Sequence, residues 1–139
     1  MNRKTPAKAA GPGEASGRLE KALAYHKASR NALESINAGE IADPVIALIT
    51  LAAIAYADAL TAKFGGKVNQ KDHARIVDLL SDTLGAEFPK EQAVRLKRML
   101  SHKDIAQYGS TATRTKGEVE MLLVDLDRFA AYSEAKLKS

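Results

Sequence analysis

The stretch Asp43-Pro-Val-Ile-Ala-Leu-Ile-Thr-Leu-Ala-Ala-Ile-Ala-Tyr-Ala-Asp-Ala-Leu-Thr-Ala-Lys-Phe-Gly-Gly66 decides the fold. Its apolar residues do not alternate with polar ones, as they would in a half-exposed strand. From Val45 to Ala57 they cover nearly the whole circumference of a helix, the pattern of a helix enclosed by others. Asp43 is suited to cap the start while Pro44 takes the first helical position. Gly65 and Gly66 stop the helix. The expected architecture is therefore an all-α antiparallel bundle of about five helices, with this helix at its centre.

The flanking segments supply the partners. A first helix is predicted from Arg18 to Ile36, with Leu19, Ala22, Tyr25, Ser29, Ala32 and Ile36 on one stripe. A third helix follows Asn69, holds Asp72 in its first turn and ends at Leu84 before Gly85. Pro89 opens a fourth, which packs through Ala93, Leu96, Met99 and Leu100 and ends at Tyr108. Ser110 to Gly117 reads as a loop. A fifth helix spans Glu118 to Leu137, with Val119, Leu122, Leu126, Phe129 and Ser133 packed and Asp125, Arg128 and Glu134 solvated. Met1 to Gly17, carrying Arg3, Lys4, Lys8 and little to bury, is expected to be a disordered basic arm. Residues 18–139 then form a single domain.

Composition narrows the chemistry. The chain has 139 residues, no cysteine and a formal net charge of +4. The absence of cysteine removes disulfides, thiolate metal sites and thiol catalysis, and fits a cytoplasmic location. The mild positive charge slightly favours polyanionic partners. Pro44 to Ala57 is too short to span a bilayer and is followed by Asp58, so no membrane segment is expected. His26, His73 and His102 come from separate segments without metal-ligand spacing, so neither a metal nor a cofactor is expected. Gly65-Gly66 lacks the Lys-Ser/Thr of a phosphate loop, and no Gly-x-Ser-x-Gly elbow occurs.

Two places need an explanation. Asp58 sits among alanines on the central helix, where an unpaired carboxylate costs several kcal/mol. His73, Lys103 and Tyr108 are candidate partners in a structural brace, and His73 and Lys103 in a ligand pocket; a simply exposed aspartate near the helix end is the third reading. The second place is Arg95-Leu-Lys-Arg98-Met-Leu-Ser-His102-Lys103-Asp-Ile-Ala-Gln-Tyr108. Arg95 and His102 lie about two helical turns apart on one face. An arginine holding phosphate beside a proton-transferring histidine is the minimum apparatus for cleaving RNA through its 2′-hydroxyl. The same cations also suit a helix C-terminus, where they offset the macrodipole.

With these residues quoted, the chain resembles the HEPN domains, the helical family named for higher eukaryotes and prokaryotes nucleotide-binding. The resemblance covers about Arg18 to Leu137. It rests on Ala52 to Ala59 in the second helix, Phe64-Gly-Gly followed by Asp72-His73, the Leu96 to Tyr108 run, and the long final helix with Phe129. It implies a homodimer and a site for RNA or a nucleotide near the Lys103 to Tyr108 segment; Asp58, His73 and Arg98, from the chemistry of the residues, complete the ligand-binding candidates with Lys103 and Tyr108. A cognate antitoxin or other partner protein is also implied. In nuclease members an arginine and a histidine meet their symmetry mates across the dimer, the roles that Arg95 and His102 would take. Leu96 stands where a polar residue commonly follows that arginine, which favours a non-catalytic binding member. A metal-independent endoribonuclease and a structural dimerisation module are the alternatives.

Overall fold

The computed structural model describes residues 7–69, 73–108 and 115–139, with backbone alone for 103–108. Its helices are α1 (Glu14–Glu34), α2 (Asp43–Gly65), α3 (Ile76–Leu84), α4 (Lys90–Tyr108) and α5 (Lys116–Lys138). Two short strands, β1 (Ala7–Ala9) and β2 (Lys67–Asn69), pair antiparallel with Lys8 opposite Val68.

The all-α bundle expected from the sequence is the observed fold. α2 is buried without a break from Ala52 to Ala62, enclosed by α1, α3, α4 and α5. Side-chain bridges order the long helices. Lys116 at the start of α5 reaches the Ile36 carbonyl beyond the end of α1, while Asp127 meets His26, so α1 and α5 are antiparallel. Tyr56 meets Glu134 and Lys63 meets the Leu137 carbonyl, so α2 and α5 run the same way. Glu87, just before α4, contacts Tyr132 and Lys136, whereas Arg98 contacts Asp125; α4 therefore opposes α5. The four long helices alternate up and down, and α3 fills the side between α2 and α4.

Local chemistry sets the helix ends. Pro44 stands in the first turn of α2, as expected, but Asp43 is already helical and the cap position belongs to Ala42. At the other end Gly66 turns the chain with φ 65°, a left-handed conformation that glycine takes without strain, and its amide bonds the Ala62 carbonyl at 3.2 Å. α5 begins at Lys116, two residues before the expected start, because Thr115 and Glu118 cap it reciprocally.

Two further expectations change. Residues 7–17, read as part of a disordered arm, hold β1 and the first turn of α1. Ala10 also donates to the Gly66 carbonyl at 2.8 Å, which fastens this segment to the end of α2. α2 is long and apolar enough to cross a membrane by length and composition, but 78% of its most apolar window is buried inside the bundle. Its apolar circumference is therefore largely covered within one chain, as expected of a central helix. Asp72 and most of the Ser110 to Gly117 loop lie outside the described residues.

Candidate functional site

Asp58 anchors a cleft built by α1, α2, β1, β2 and the turn at His73. The carboxylate is 3% exposed. Arg18 Nη1 donates to Asp58 Oδ2 at 3.4 Å, while the same guanidinium donates through Nε to Glu14 Oε2 at 2.8 Å. The Asn69 backbone amide also donates to the Asp58 carboxylate. Burial pushes Asp58 up to about 6, because the charged form loses its hydration. Arg18 and the Asn69 amide pull in the opposite direction, and Glu14 adds to the rise.

The cleft encloses about 230 Å³. Lys8, Arg18, Lys21 and His73 surround Asp58, and Tyr25, Leu51, Ile54 and Ala55 provide a largely apolar wall. Lys8 and Lys21 are exposed. The space thus combines cations for an anionic group, apolar surface for a ring, and a carboxyl for a hydrogen-bonding edge.

Asp58 and His73, named from the sequence as a pocket, do share this cleft. The main charge partner of Asp58 is nevertheless Arg18 rather than His73. The side chains of Lys103 and Tyr108, the other candidates, lie outside the described residues. Arg18 was visible in one respect: Arg18, Ala22 and Tyr25 fall on one helical face, at spacings of four and three.

The second group of expected residues lies on α4. Arg98 forms a bidentate pair with Asp125, with Nε to Oδ2 and Nη2 to Oδ1 both at 2.9 Å. This pair corrects the expectation that Asp125 is solvated: it is 9% exposed and joins α4 to α5. The hydrogen bond to Asp125 raises the Arg98 guanidinium above its usual range, so the arginine stays charged. Arg98 has a structural occupation, although half of its side chain remains in solvent. Arg95 lines an open groove on the same helix with Lys90, Glu91 and Val94.

His102 Nδ1 lies 2.8 Å from the Arg98 carbonyl. A carbonyl accepts and never donates, so Nδ1 carries the hydrogen and Nε2 holds the lone pair in the neutral ring. Arg95 and His102 share a helix face but stand roughly 10 Å apart along its axis, at 1.5 Å per residue.

A third polar cluster was not anticipated. His26 Nδ1 meets the Tyr56 hydroxyl at 2.9 Å, and His26 Nε2 meets Asp127 Oδ1 at 2.7 Å. Arg30 also donates to Asp127, and Tyr56 donates to Glu134 at 3.3 Å. Burial, reinforced by Glu134, holds the Tyr56 hydroxyl above its usual range, so it remains a donor. Glu134, expected to be solvated, is half-buried in this network. With Tyr56 fully buried and both His26 nitrogens engaged, the cluster braces α1, α2 and α5. Among the described residues no group of histidines and carboxylates is arranged to hold a metal ion. Compared with models of known families and with curated proteins, the chain matches none.

Proposed function

We propose that this protein is a non-catalytic, HEPN-like module that binds RNA or a nucleotide, acting as a homodimer within a defence or toxin–antitoxin system. The observation that carries the binding part of the reading is the Asp58 cleft, where Lys8, Arg18 and Lys21 ring an apolar wall that ends in a carboxyl. Phosphate would lie against the cations, a base against Tyr25 and Ile54, and a base edge against Asp58. The exposed face of α4 adds Lys90, Lys97 and the accessible half of Arg98 along the same molecule.

Binding of this kind is tested with a labelled single-stranded RNA in fluorescence anisotropy, and with AMP in isothermal titration. Affinity should fall steeply with salt, and Lys8→Ala, Lys21→Ala or Arg95→Ala should each reduce the log–log slope by nearly one unit. His102→Ala should leave binding within about twofold, since an imidazole that touches no phosphate contributes little. Absence of binding to either probe at low salt would exclude the proposal.

Endoribonuclease activity is the second reading. The His102 tautomer favours it, because Nδ1 is engaged and Nε2 is the basic nitrogen of the neutral ring. With Arg95 two turns away on the same helix, a catalytic pair would need the arginine of a second copy. RNA cleavage in EDTA that His102→Ala abolishes would establish this reading in place of the first.

A further inference from the structure

At the C-terminal end of α2, six residues beyond Asp58, Phe64 is 37% exposed. The ammonium groups of Lys63 and Lys136 stand 5.4 and 5.1 Å from its ring centre. Both lysines are tethered, Lys63 to the Leu137 carbonyl and Lys136 to Glu87. Lys67 and Lys138 are exposed close by in the chain, just after the α2 turn and at the end of α5. Two cations and one carboxylate thus stand at a partly exposed aromatic ring.

We propose that the Phe64 corner is a stacking platform for one base of single-stranded RNA, with the flanking lysines holding the neighbouring phosphates. The inference rests on the RNA-binding reading above and gives it a second contact point. Three properties fit this occupant. Every base presents a π face to an aromatic ring, so an exposed ring takes one without sequence preference. Lys63 and Lys136 already stand at the ring, so as a base takes the ring face their ammonium groups exchange a cation–π contact for a phosphate. The end of α2 is also rigid, since a Cβ at Gly65 would meet Thr83 at 3.0 Å and α3 therefore packs directly against this turn.

The chain contains no tryptophan, so Phe64→Trp creates a single indole reporter. We expect its emission to be quenched saturably by a ten-residue oligoadenylate, with a midpoint matching the anisotropy of the same labelled strand. The corresponding duplex, whose bases are already stacked, should not quench. Phe64→Ala should weaken binding by about 5- to 150-fold, the loss of one base–aromatic stack. Phe64→Leu should weaken it similarly, because the apolar bulk stays and the ring goes. Circular dichroism of each variant at wild-type helicity shows that any loss belongs to the corner. If the strand binds while the indole emission stays constant and Phe64→Ala binds within twofold of wild type, the platform is wrong and the RNA reading stands. If wild-type protein shows no anisotropy change at low salt, the RNA reading fails and the platform fails with it.

Discussion

Replacing Asp58 by asparagine should make the protein more stable at neutral pH, and the gain should vanish in acid. The carboxyl titrates near 6 in the folded chain, against an ordinary value of 3.8. Its folded value is therefore raised. A raised group contributes stability that is fully present below its unfolded value and is lost as pH rises through the folded one. For Asp58 the loss runs from about pH 4 to about pH 6. A rise of about two pH units, at about 1.36 kcal/mol per unit, corresponds to about 3 kcal/mol. The Arg18 pair does not reverse the sign, because its 3.4 Å contact is long and Glu14 holds the same guanidinium at 2.8 Å. Desolvation outweighs that attraction, as is common for buried charges with one imperfect partner.

Asparagine keeps the shape and an oxygen that accepts from the Asn69 amide, and it carries no charge at any pH. At pH 4 the variant and the wild type should agree within about 0.5 kcal/mol. By pH 7 the variant should be ahead by up to about 3 kcal/mol. Urea unfolding at half-unit steps from pH 4 to pH 8, with equal m-values, measures the difference directly. A difference that stays constant across the range, or that turns against asparagine at pH 7, would show that Arg18 rather than burial governs this site. The same titration bears on binding: neutralising Asp58 makes the cleft more positive, so affinity for a diadenosine phosphodiester, whose single phosphate keeps one charge across this range, should rise as pH falls through 6.

Arg98→Ala leaves the buried Asp125 carboxylate without its bidentate partner and should cost about 1–2 kcal/mol in chemical unfolding; a change under about 0.5 kcal/mol would mean that the pair is fully screened. Tyr56→Phe deprives both His26 and Glu134 of a hydroxyl at the junction of α1, α2 and α5. A loss of about 1–2 kcal/mol is expected in thermal unfolding, and a neutral result would show that water replaces the hydroxyl. Light scattering at micromolar concentrations should give twice the chain mass, and a strict monomer would remove the composite Arg95/His102 site.

The central helix was readable because its evidence is local. An apolar run of that length, with Pro44 at one end and Gly66 at the other, leaves little choice of element or of place in the bundle. The start of α5 was equally local, since Thr115 and Glu118 stand at capping-box spacing, and the missed boundary came from treating that polar segment as a loop. β1 and β2 carry three residues each, too few for an alternating pattern to emerge. Ala7 and Ala9 add no apolar signal, and the paired segment resembled a tail.

The polar pairs were hidden for a different reason. Asp58 could be recognised as anomalous from its own helix, because a carboxylate surrounded by alanines is costly wherever the chain goes next. Its partner could not, since Arg18 lies 40 positions away and meets it through the rotation of α1 about its axis. Asp125 and Glu134 show the same limit at the boundary of a helix stripe. Helical periodicity locates the packed face to within about one residue's rotation, roughly 100°. A carboxylate at that boundary is solvated or buried according to what the neighbouring helix offers. Arg98 on α4 and Tyr56 on α2 made the offer here, and drew both acids inward. The positions whose environment depended on two helices at once are therefore the ones at which sequence periodicity was least informative. In this chain they hold Asp58, Arg98 and Glu134, which carry the electrostatics of the cleft and of the bundle around it.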